Sequence, residues 1–283
     1  MKKIMLIAAM IILCGGATAG AWEFNRSVSV KYVSESNITQ EFNERWRIKD
    51  SGVETALKIG AEKEAAPGKR WILSLNLKDH KNKSFSSHDR FYYGVRAAYR
   101  RKLGLGHMAP WWTISAGTGE ELYKNDDIHN RRLSTLQLEY GKRLDLRNIV
   151  TGLFTLDGTH GDKTEVFNQR GFSAAVRGQY SMDNGWALTW GVMKRKGDVT
   201  IHGWEDYYSF SPYVIMDTWP GWNGKKKAMY KVSDADTLKY ELGAVFTPDK
   251  RSSWRFGYEN YKTVKNAWSY PNSIYSVQYS VNF

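Results

Sequence analysis

The sequence predicts an all-β protein, a transmembrane antiparallel up-and-down β-barrel, and three observations predict it. Apolar and aromatic residues fall on alternate positions in run after run, a period of two that suits strands and not helices. The connections alternate between compact turns and longer polar links, as in barrels whose two rims face different compartments. The chain opens with an export leader, and nothing after it supplies the roughly 18 consecutive apolar residues of a spanning helix.

The leader reads MKKIMLIAAMIILCGGATAGAWEF: Lys2 and Lys3, an apolar run over 4–13, then small residues with A-x-A steps at Ala17 to Ala19 and Ala19 to Ala21. Residues 1–21 are therefore read as a signal peptide and 22–283 as the barrel. The one cysteine, Cys14, leaves with the leader, which excludes disulfides and thiolate metal sites from the mature chain. Leu13 stands where an acylated cysteine would want a small neighbour, which argues against lipidation.

Among the strand runs, Val28, Val30 and Tyr32 come first, then Thr55, Leu57 and Ile59, followed by Trp71, Leu73, Leu75 and Leu77. Phe91 to Tyr99, Trp112 to Ala116, Leu136 to Tyr140, Val150 to Leu156, Phe172 to Tyr180 and Trp186 to Val192 continue the pattern. Leu238 to Phe246 and Trp254 to Tyr258 lead to the last run, Tyr275, Val277, Tyr279, Val281 and Phe283. A chain that stops mid-strand on an aromatic is explained if that strand pairs with the first and turns its apolar face to lipid.

Short turns at 65–70, 104–110, 145–148, 183–185 and 247–253 belong on the periplasmic rim. The longer links at 79–89, 123–130, 157–169 and 265–272 belong outside. Twelve strands result, with 198–236 as one long extracellular loop; fourteen result if the stretch 207–219 is itself wall. Trp22, Trp71, Trp111, Trp112, Trp186 and Trp254 lie where an interfacial aromatic girdle would.

Parity then fixes the lumen. If Phe91 to Tyr99 face lipid, Arg90, Tyr92, Arg96 and Arg100 face inward, and the same rule sends in Lys58, Lys78, Arg177, Arg195, Lys239 and Arg255. A cation on the lipid side at mid-depth would cost about 2–4 kcal/mol, so the bilayer enforces this assignment. Glu54, Glu62, Glu139, Glu241 and Glu259 also point inward and pair with some of these cations, leaving a basic bore suited to small acidic solutes. The formal charge of +12, or +10 once Lys2 and Lys3 are removed, would suit nucleic acid in a cytoplasmic protein; in an exported one it suits acidic glycans or lipopolysaccharide.

The stretch FTPDKRSSWRFGYENYKTV (246–264) followed by PNSIYSVQYSVNF resembles the closing hairpin of the oligogalacturonate-specific porin family, which also contains sialic-acid channels. The resemblance implies a twelve-stranded monomeric channel without cofactors, its bore lined by arginine tracks to which Arg96, Arg100, Arg177, Arg195 and Arg255 would contribute. The alternating terminal strand Tyr275, Val277, Tyr279, Val281, Phe283 resembles the signal read by bacterial barrel-assembly machinery.

Competing chemistry has little to stand on. His129 and Ser134 are the best local nucleophile pair, but five residues along a strand separate them by about 16 Å and put them on opposite faces. Asp157, His160 and Asp162 lack a recognised metal-ligand spacing. The aromatic and lysine-rich 198–236 segment allows a further reading: a barrel whose loops bind a glycan or partner, or a loop that folds into the bore and gates it.

Overall fold

The computed structural model describes residues 22–38, 40, 47–203, 214–218, 226–266 and 268–283; the stretch 1–21 read as a leader lies outside them. Thirteen strands form one antiparallel sheet: β1 (Glu23–Glu35), β2 (Asp50–Ala66), β3 (Lys69–Asn82), β4 (Arg90–Lys102), β5 (Trp111–Tyr123), β6 (Arg131–Arg143), β7 (Asn148–Gly161), β8 (Gln169–Ser181), β9 (Trp186–Gly203), β10 (Val214–Thr218), β11 (Lys226–Phe246), β12 (Ser252–Lys265) and β13 (Trp268–Asn282). Each pairs with its chain neighbour, except that β9 pairs with β11 while the five-residue β10 lies along the other edge of β11. β13 pairs with β1 over Ser27↔Asn282 to Glu35↔Ile274, which closes a barrel of twelve strands. Twelve is thus the wall count; the 207–219 stretch supplies β10, which pairs outside the closed ring.

The period of two becomes two faces. Outward stand exposed Val28, Val30 and Tyr32 of β1, Leu136, Leu138 and Tyr140 of β6, Leu188, Trp190 and Val192 of β9, and Tyr275, Val277 and Tyr279 of β13. In water this would be an untenable apolar surface; against hydrocarbon it is the favourable one. At the seam Val30 meets Tyr279 and Tyr32 meets Val277 on this outer face, while Phe283 ends the row 77% exposed.

The start of β1 and the end of β13 lie on one rim, called near here, together with the short turns. Two of those turns use one device. Asp145 accepts the backbone N–H groups of Arg147 and Asn148, both at 2.7 Å, and Asp249 accepts those of Arg251 and Ser252, both at 2.7 Å. Side-chain bonds from Asn148 Nδ2 at 2.7 Å and Ser252 Oγ at 2.5 Å, and then these backbone bonds, hold both carboxyls below the usual range. Aromatic contacts band the near rim: Trp71 with Tyr99 at 4.9 Å, Tyr99 with Trp112 at 5.5 Å, Trp186 with Phe246 at 4.8 Å, Trp254 with Tyr279 at 4.8 Å.

Trp111 departs from the expected girdle. It shares the inward parity of Thr113 and Glu139, donates to Glu139 Oε1 at 3.0 Å, and lies where a side chain at Gly141 would otherwise sit.

On the far rim the strands run further than the polarity of the sequence implied. β3 continues to Asn82, β7 to Gly161, and β12 and β13 approach to within two residues of each other. The segment read as a loop over 198–236 is strand at both ends: β9 and β11 stay paired from Val199↔Val232 to Gly203↔Ala228, beyond a bulge between Val232 and Ala235. Polar residues there mark wall that has left the hydrocarbon and not loop.

Candidate functional site: a charged bore with an occluded mouth

The bore is lined by the side chains that parity sends inward. Arg90 Nε lies 2.9 Å from Glu121, which Arg131 also holds at 2.5 Å. Lys78 pairs with Glu54 at 3.3 Å, and Arg100 approaches Glu139 at 4.0 Å. Across the barrel Arg177 grips Glu241 through two bonds of 3.0 and 3.1 Å, and Lys239 bridges Glu241 and Glu259 at 2.8 and 2.6 Å. Arg195 holds Asp157 in the same forked way, at 3.2 and 2.7 Å.

The remaining predicted lumen residues divide differently. Arg96 donates to neutral partners, Ser115 Oγ at 2.6 Å and the Gln137 side-chain oxygen. Lys58 and Arg255 have no carboxylate within ion-pair distance among the described residues, and neither does Lys31. Tyr92 lies flat on the wall across Gly94 and Gly119, where an added Cβ would come within 2.1 Å of its hydroxyl oxygen and 2.7 Å of its ring carbons. Those two glycines let the phenol lie along the wall. Two cavities follow: about 430 Å³ bounded by Lys78, Arg90, Arg96 and Tyr92, and about 480 Å³ bounded by Lys31, Arg177, Lys239 and Arg255.

Sequence reasoning left open what closes the far mouth. Three connections there repeat one short motif. Ser86–His88, Asp127–His129 and Glu165–Phe167 each form a single 3-10 turn whose last residue is buried. The next residue then accepts a backbone N–H from seven positions back: Asn82 N–H to Asp89 at 2.7 Å, Tyr123 N–H to Asn130 at 2.7 Å, Gly161 N–H to Asn168 at 2.9 Å. The signal was present as His-Asp-Arg, His-Asn-Arg and Phe-Asn-Gln at 88–90, 129–131 and 167–169.

Against these turns lies the extension of β9 and β11. It is buried on both faces, as a strand pair standing free above a rim would not be. Ile201, Ala228, Tyr230 and Val232 pack with Tyr270, and with Tyr261 and Val199 at the edge of the cluster. On the other face Met229 packs on Val166 and Phe167. The rings continue across the opening: Phe167 to His129 at 5.3 Å, His129 to His88 at 5.3 Å, and both histidines to Tyr123. The β3–β4 turn that carries His88 lies halfway round the twelve-strand wall from the β9–β11 junction. The extension therefore bends inward at Gly197, where a Cβ would strike the Arg170 carbonyl and Gly171 Cα at 2.4 Å, and with the three turns it spans the mouth.

Burial, then the charges of His129, His202, Arg90 and Arg131, hold His88 well below the ordinary histidine value. The hydrolytic pair fails on this geometry: His129 is buried in the mouth cluster while Ser134 faces outward.

No family model matches the chain, and no curated protein sequence matches it. Solved structures do. The COG4313 outer membrane channel from Pseudomonas putida F1 superposes with a TM-score of 0.62 at 12% identity, over 95% of this chain and 97% of that one. The KdgM porin in complex with disordered oligogalacturonate gives 0.48 at 11% identity over 91% and 99%, and the NanC porin 0.47 at 12% over 90% and 98%. The first establishes the fold of a small outer-membrane barrel. It does not place the chain in the oligogalacturonate-specific family.

Proposed function

We propose that the protein is a monomeric outer-membrane channel for passive uptake of small anionic solutes, acidic oligosaccharides among them, through its cation-lined bore. The observation that carries this is the surplus on the wall: Lys31, Lys58, Arg96 and Arg255 face the lumen without a carboxylate partner among the described residues. In a confined bore such charges lower the energy of an entering anion and raise that of a cation. A twelve-strand ring is wider than an eight-strand barrel filled by its own side chains and narrower than a sixteen-strand porin, which suits extended or small solutes.

The near rim, with its short turns, the start of β1 and the end of β13, faces the periplasm, and the occluded mouth faces outside. Passage then requires the β9–β11 extension to leave the mouth. The outward row Tyr275, Val277, Tyr279, Val281 and Phe283 serves assembly, presented to the insertion machinery before β13 zips onto β1.

Planar-bilayer recording tests the reading. Expected are discrete steps with anion preference that falls in Arg96→Gln/Arg255→Gln. A silent bilayer with a barrel in which the mouth has been opened, or unchanged selectivity in that variant, would overturn it.

A further inference from the structure

The outer surface carries a second cationic feature, separate from the bore. On the faces of β6, β7 and β8 the last apolar row toward the far rim is Leu136, Leu156 and Phe172, which the register sets side by side. The next outward row is Ser134, Gly158 and Arg170, and the one beyond it carries Arg132 beside His160. Arg170 stands two residues, about 7 Å along the strand, past Phe172. On β9, Lys194 and Lys196 share the outward face and are long enough to reach the same level from slightly deeper.

A cleft of about 600 Å³ opens here, bounded by Arg132, Ser134, Gly158, His160, Asn168 and Arg170, with Glu165 and Asp198 also on its wall. Gly158 leaves the floor bare between two cationic strands. Some of the charge is matched: Arg132 lies 3.4 Å from Glu120, Lys194 3.8 Å from Asp236, and Lys231 3.5 Å from Asp198. Arg170 and Lys196 have no carboxylate within ion-pair distance among the described residues. The opposite wall is more sparsely charged: Tyr32, Ser34, Asn260, Ser273 and Tyr275 are neutral, and the cation Lys262 stands one outward row beyond Asn260 on β12.

A cluster of cations just beyond the edge of an apolar belt faces the headgroups of the surrounding leaflet. We propose that this cleft on β6–β9 is a binding site for the phosphorylated glucosamine headgroup of lipid A, with Arg170, Lys196 and Arg132 on the phosphates and the acyl chains lying down the Leu136, Leu156 and Phe172 row. Two phosphates on a rigid disaccharide match guanidinium forks separated by one bare strand. The site is independent of what passes through the bore.

Native mass spectrometry of the whole barrel in detergent tests it, using diphosphoryl lipid A, the same lipid stripped of both phosphates, and inorganic phosphate as competitor. The expected result is one diphosphoryl lipid A retained per wild-type barrel. Arg170→Gln/Lys196→Gln should weaken it about tenfold or more. The stripped lipid should bind the wild type as poorly, and millimolar inorganic phosphate should fail to displace the lipid. Lys262→Gln, an exposed cation on the outward face of β12, is the control and should change nothing. Equal retention by the double variant, an equal loss in Lys262→Gln, or displacement by inorganic phosphate would each overturn the proposal. Neither substituted residue makes an ion pair in the wall, so the heat-modifiable gel mobility of the folded barrel should persist.

Discussion

Replacing Tyr230 by alanine probes the mouth most directly. The ring is 1% exposed, on the face of the β9–β11 extension that meets Ile201, Val232 and Tyr270. Truncating a buried aromatic costs about 3–5 kcal/mol. That cost falls almost entirely on the inserted state, because once the extension swings out the side chain at 230 is solvated in either protein. At about 1.4 kcal/mol per factor of ten, the ratio of occluded to open barrels should fall by about two to three and a half powers of ten. Single-channel recording at neutral pH reads this as a large rise in open probability with unchanged unit conductance. Because the one cysteine of the sequence, Cys14, lies in the N-terminal stretch read as a leader, Met229→Cys in a Cys14→Ser background gives an independent reading: protected from a membrane-impermeant thiol reagent in the parent, labelled once Tyr230→Ala is added. A folded Tyr230→Ala barrel that conducts like the wild type and leaves position 229 protected would refute the occlusion argument.

The remaining predictions concern the same scaffold. Acid should open the mouth: His88 is held neutral by burial and by facing His129, His202, Arg90 and Arg131, while Glu121 is already bound to both arginines and Asp126 lies beside His129. Since its inserted-state pKa is depressed, the stabilisation is complete above the ordinary value of 6.5 and is lost as pH falls below it toward the buried value; open probability should rise over that window, and His88→Phe should flatten the response. Asn272, 1% exposed, receives the Asn37 N–H and Ser36 hydroxyl at 3.1 Å each and donates to the Tyr261 hydroxyl at 2.6 Å, tying β13 to β1 at the far end of the seam. Asn272→Leu strands those groups and should cost about 1–3 kcal/mol, seen as a lower temperature of heat-modified gel mobility. Gly197→Val should push the extension out of the mouth, since its Cβ would meet strand backbone with no flexible neighbour to yield, and should raise conductance in the same assay as Tyr230→Ala.

How much of this could be read from the sequence depended on which solvent each residue faces. Where lipid lies on one side and water on the other, parity is forced, so Arg90, Arg96, Arg177 and Arg255 could be placed inward from their neighbours alone. Beyond the hydrocarbon that pressure stops. Asp79, His80 and Lys81 of β3 read as loop because they are polar on both faces, yet they are paired strand. The 198–236 segment fails for the opposite reason: Ile201, Met229 and Tyr230 are buried on both faces of a strand pair, so no alternation marks them. Trp111 and Trp112 are adjacent, so one had to face the lumen; sequence proximity to a turn hid this.

The bore also shows why neutralising two arginines of equal parity should give unequal results. Around Glu241 the cations Arg177 and Lys239 balance the carboxylates Glu241 and Glu259, so Arg177 shapes the wall more than it charges it. Removing its guanidinium leaves Glu241 short of a partner, exposing negative charge to the bore and loosening β8 from β11. Among the described residues Arg96 bonds neutral groups alone, so in the proposed channel its full charge would act on the solute and nothing ionic is orphaned by its loss. Arg177→Gln should therefore cost both stability and anion preference, while Arg96→Gln should cost anion preference alone. If the two variants proved equally stable and equally selective, the division of the lumen into pairs that hold the wall and unmatched cations that set the field would be wrong.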